Sequence, residues 1–115
     1  MISSIQLRNE RAEYYTFREK VNNLAQELLT SYTSFLNTYN MLNDAYQIDE
    51  EAGDRGIIKN SYQALKDNYD LLVGTTIPAI NNKIDNLSHQ IRQVEIKEEE
   101  ERKIEESSTS SNNVY

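Results

Sequence analysis

Apolar side chains recur every seven residues over the first part of the chain, with Tyr14, Val21, Leu28, Phe35 and Leu42 in one row. An α-helix turns once in 3.6 residues, so this repeat keeps the row on one face, whereas a strand would send alternate members to opposite sides. A companion row of Phe17, Leu24 and Ala45 is interrupted by the polar Ser31 and Thr38. Leu29 and Leu36 widen one flank, and Tyr32, Tyr39 and Tyr46 form a further heptad row. The resulting stripe is broader than the two-position seam of a dimeric coiled coil. Ser3 and Gln6 have the spacing of a capping box, which predicts that the helix begins near residue 4. The 115 residues include only three glycines and one proline, so few turns interrupt the helices.

The repeat stops at 49–56, an acidic stretch that holds Gly53 and Gly56, the one place where two glycines stand close together. This predicts a turn between two helices, with Asp54 and Gly56 at its heart. The pattern resumes with Ile58, Tyr62, Leu65, Tyr69 and Leu72, then with Ile77, Ile80, Ile84, Leu87, Ile91 and Val94. The second set is displaced by one residue from the phase of the first. Pro78 lacks an N–H and its ring crowds the carbonyl of Gly74, which predicts a kink or bulge in the second arm near 74–78. From Glu95 to Glu106 there are seven acidic and three basic residues, and Glu98 with Arg102 and Glu99 with Lys103 have favourable i to i+4 spacing. The Ser- and Asn-rich end lacks periodicity, and its composition offers little to offset the entropy of ordering.

The predicted fold is therefore all-α, a long antiparallel helical hairpin forming a single domain over 1–106. Its expected parts are a helix at about 4–48, a turn at about 49–56, a kinked helix at about 57–106 and a disordered tail at 107–115. Two paired helices hide only their facing edges, so the wide stripe predicts apolar surface left for a partner. Tyrosine suits such an interface because its ring buries area while its hydroxyl stays at the wet rim. The expected interface comprises Leu29, Tyr32, Leu36, Tyr39, Tyr46, Tyr62 and Tyr69, although the tyrosine rows would equally serve to pad the hairpin itself. The seam that closes the hairpin is read as Leu28, Phe35, Leu42, Tyr62, Leu65, Tyr69, Ile84, Leu87 and Ile91.

Chemistry is sparse in this sequence. There is no cysteine and one histidine, which excludes a disulfide framework, a thiol nucleophile and the usual zinc ligand sets. Asp85 and His89 share a helix face, yet a surface pair explains them better than a metal or acid/base site. The acidic turn lacks the alternating ligands of a calcium loop, and Gly53 with Gly56 lacks the lysine of a phosphate loop. No catalytic residue, cofactor or metal is expected, and the chain is read as a non-enzyme. A formal charge of -7 argues against a nucleic-acid surface, and no apolar run reaches the length of a membrane span. The start of the sequence lacks the basic and apolar stretches of a signal peptide, so a cytoplasmic protein is expected.

Two long helices around a glycine-bearing turn at Asp54-Arg55-Gly56 resemble the helical-hairpin superfamily of type VII (ESX) secretion, whose members are named for a Trp-X-Gly turn. The glycine matches and the tryptophan is replaced by Asp54. Within the superfamily the chain looks most like the small accessory proteins of Leu-X-Gly toxins in Gram-positive bacteria. That resemblance implies a chaperone or targeting subunit that binds the helical N-terminal domain of a larger secreted effector, alone or with a second small helical accessory protein. It also implies cytoplasmic residence with export alongside the partner. The family's export signal, Tyr-x-x-x-Asp/Glu, is matched in letters by Tyr15 with Glu19 and by Tyr46 with Glu50, neither of which follows the second helix. The alternative, from another class, is a self-assembling coiled-coil structural or phage protein, for which a homo-oligomer is expected.

Overall fold

A computed structural model describes residues 2–46 and 53–113, with side chains over 2–45 and 56–108. The chain is all-α, a helical hairpin with no strand among the described residues. Helix α1 spans Ser4–Tyr46 and helix α2 spans Gly53–Leu71; a π-helical segment, Leu72–Thr76, joins α2 to helix α3, Ile77–Asn113. The packing divides into two compact units, one made by residues 1–16 with 81–115 and the other by Phe17–Ile80.

The first unit begins with the capping box that the sequence announces. The Ser3 N–H donates to Gln6 Oε1 at 2.9 Å while the Gln6 N–H donates to Ser3 Oγ at 3.2 Å, so each side chain serves the other's backbone. Below it Leu7, Leu87 and Ile91 form the core, with Tyr14 and Val94 packed against them. Leu87 is the most enclosed side chain among the described residues, 1% exposed. Polar clasps cross between the antiparallel helices on either side of this core. The Ser4 N–H and Oγ donate to the two oxygens of Glu98 at 2.9 and 3.2 Å, Arg11 donates to Ser88 Oγ at 3.0 Å, and Arg8 pairs with Glu95. Glu98 therefore turns inward to the first turn of α1, where the helix dipole favours an anion, instead of pairing with Arg102 as its spacing suggested. Arg102 is taken by Glu99 and Glu106.

In the second unit Val21, Ala25, Tyr39 and Ile80 are buried. The π segment explains the slip in hydrophobic phase. The Ile77 N–H bonds to the Leu72 carbonyl, five residues back, so the widened turn takes up one extra residue and realigns Ile77 and Ile80 with the seam that ended at Leu72. The expected irregularity at 74–78 is thus a π-turn, and the second arm continues through it. A Cβ added at Gly74 would meet nothing within 4 Å, so the glycine is not held there by crowding.

Two boundaries differ from the sequence reading. Helix α2 already includes Gly53, Asp54 and Gly56, so the residues assigned to the turn form the first helical turn instead; what precedes Gly53 back to residue 47 lies outside the described residues. Helix α3 runs to Asn113, past the expected end at 106, and the serines of the expected tail continue the helix backbone.

Candidate functional site

The helix faces of the second unit settle where its tyrosines go. Tyr62 on α2 receives two rings of α1 edge to face: Tyr32, with centroids 6.0 Å apart at 67°, and Tyr39, at 5.5 Å and 62°. Such T-shaped contacts align a ring's positive edge with the neighbouring negative face. Tyr39 is only 7% exposed, and Tyr32 and Tyr62 are half-buried. The expectation that Tyr32 and Tyr39 are offered outward is corrected: they close the hairpin. Leu29, Leu36 and Tyr69 are half-buried as well. The Tyr46 side chain, Glu50 and the Asp54 side chain lie outside the described residues, and with them the Tyr46–Glu50 export motif. Tyr15 of the other motif is exposed, with the Arg11 guanidinium 6.0 Å from its ring centroid.

If the tyrosines face inward, another row must face out. The inner row of α1 is Ser4, Arg11, Arg18, Ala25, Tyr32 and Tyr39, each seven residues from the last. Phe17, Leu24 and Phe35, placed in the seam or beside it by the sequence reading, are 50%, 46% and 40% exposed. The polar Thr38 on the same outward row satisfies its hydroxyl on its own helix, donating to the Ser34 carbonyl at 3.0 Å. On α2, Ile57 and Leu71 are 64% and 56% exposed and stand two heptads apart. On each helix the exposed row precedes the buried one in the same angular sense, and in an antiparallel pair that places both rows on one face of the second unit. This apolar face is the candidate functional site.

Among the described residues no group of three or more His, Cys, Asp or Glu stands together as a metal site. His89 lies beside Gln93 on its own helix, 3.2 Å between Nε2 atoms, while Asp85 is exposed. Small hollows lie among the described residues. One of about 140 Å³ lies by Ile2, Ser3 and Val94, and a polar one of about 250 Å³ lies by Gly56, Lys59, Asn60 and Gln63. The shifted titrations belong to exposed pairs within single helices. Hydrogen bonding to Asp70 raises Lys66, hydrogen bonding to Arg102 lowers Glu99, and Glu99 in turn raises Arg102. No described helix is long and apolar enough to cross a membrane.

No family model, curated protein or solved structure matches the chain. The candidate site therefore rests on its own geometry. Its outward row was hidden from sequence reasoning by Arg11 and Arg18, whose charges disguise an inner row; both are half-buried. The signal that identifies that row is its strict heptad spacing from Ser4 to Tyr39.

Proposed function

We propose that this chain is a non-enzymatic binding hairpin that lends its second unit to the helices of another protein. The observation that carries the reading is the set of large apolar side chains, Phe17, Leu24, Phe35, Ile57 and Leu71, held outward on one face. Isolated exposed hydrophobes are ordinary on proteins, but several aligned on one face mark an interaction surface. A helical partner fits because rows at heptad spacing accept the ridges of another helix. In the finer form drawn from the type VII resemblance, the partner is the helical N-terminal domain of a secreted effector, and the hairpin acts as its chaperone or targeting subunit.

The test is titration of the purified protein with the helical N-terminal domain of a Leu-X-Gly effector from the same bacterium. Phe17→Asp with Phe35→Asp should weaken binding by about a hundredfold, the scale of losing two buried aromatic anchors, while far-UV circular dichroism stays unchanged. Undiminished affinity in that variant would remove the face from the interface.

A further inference from the structure

We infer that residues 28–43 of α1 form a two-state element, a helix while packed on α2 and a β-ladder with the same segment of other copies once that packing is lost. Sixteen consecutive residues there carry no charge, in a chain of which 27% is charged. The stretch contains Thr30, Tyr32, Thr33, Phe35, Thr38 and Tyr39, residue types that favour strands, and it holds no glycine or proline. Its serines and asparagines add further weak helix formers. Without charges, no ion pair within the segment reinforces the helix.

What holds the segment helical comes from α2. Tyr32 and Tyr39 pack edge to face on Tyr62, and Tyr39 is buried. Thr30, Thr33 and Thr38 donate their hydroxyls to the carbonyls of Gln26, Leu29 and Ser34 at 3.0, 2.9 and 3.0 Å, which satisfies the side chains but competes with the regular helix ladder. Local preference and tertiary setting therefore disagree over this stretch. Extended, it would place Tyr32, Ser34, Leu36 and Thr38 on one side and Thr33, Phe35, Asn37 and Tyr39 on the other. Copies stacked in register bring identical side chains about 4.8 Å apart, so rings stack on rings, Asn37 forms an amide ladder and no charge meets its own kind. Glu27 and Asp44 bound the stretch and are the first positions at which like charges would meet. The fitting strand is thus the same segment of another copy.

The test incubates the full chain at its melting midpoint, where half of the molecules have lost the α2 contacts. Fibres should form with a meridional reflection at about 4.8 Å, and their protease-resistant core should contain residues 28–43. Ser34 is exposed and lysine is the better helix former, so Ser34→Lys keeps the native fold while adding a column of like charge to the stack. It should lengthen the lag before fibres appear by about tenfold, whereas Asn82→Lys, exposed on α3 and equal in net charge, should leave the lag within about twofold of the parent. Each variant is held at its own melting midpoint, so a change in native stability does not move the comparison. The proposal is overturned by the absence of fibres, by a resistant core elsewhere in the chain, or by equal lags in the two variants. None of these readouts involves an effector, so they leave the binding hairpin to be judged by its own titration.

Discussion

Tyr62 lies between the edges of Tyr32 and Tyr39, and this trio does for the second unit what Leu7, Leu87 and Ile91 do for the first. Removing a buried ring leaves a void that the helices cannot fully close. Tyr39→Ala should therefore lower unfolding free energy by about 3 kcal/mol in urea denaturation, and Leu87→Ala by a comparable 2 to 5 kcal/mol. A double-mutant cycle between Tyr39 and Tyr62 should return a coupling of about 1 kcal/mol, whereas a value near zero would make the edge-to-face contact incidental. Ser4→Ala removes one donor to Glu98 and should cost about 1 kcal/mol. The capping box was legible from Ser3 and Gln6 because its partners are three residues apart. The Glu98 clasp was not, because its partner stands at residue 4 and its four-residue spacing to Arg102 offered a local alternative.

At the scale of elements, the seven-residue rows predicted two helical arms and their irregularity. The one-residue slip between Leu72 and Ile77 is a written record of the π-turn, since a regular helix cannot bury both rows on one side. Deleting Gly74 should accordingly convert the segment to α-helix with the downstream seam still in phase, retaining helix content and a cooperative melt. Deleting a residue at 68, inside regular α2, should instead rotate the downstream seam by about 100° and lower the melting temperature sharply. Gly74→Ala, with open space at its Cβ, should stabilise by up to about 1 kcal/mol. The end of α3 responds to acid. Hydrogen bonding to Arg102 holds the Glu99 carboxyl below its ordinary 4.5, so the pair supports the helix above that value and its contribution is lost as pH falls through the lowered one. Both partners are fully exposed, so the effect is a small decline of ellipticity at 222 nm, absent in Glu99→Gln. Which face each arm buries was less legible than the arms themselves. Periodicity gives rows: Tyr14, Val21, Leu28 and Leu42 are buried or half-buried as the seam reading expected, whereas Phe35 of that row and the companion Phe17 and Leu24 are exposed.

For the whole molecule, the division between inward tyrosines and outward apolar side chains carries the functional proposal. The tyrosine rows supply internal closure, and Phe17, Leu24 and Phe35, with Ile57 and Leu71 across the pair, form the exposed apolar face on which the proposed function rests. The most direct measurement is calorimetric titration of the effector's helical N-terminal domain into the intact chain and into its Phe17→Asp, Phe35→Asp variant, with circular dichroism recorded on both. The account predicts saturable one-site binding to the intact chain, about a hundredfold weaker in the variant at equal helicity; equal affinity in the two would contradict it.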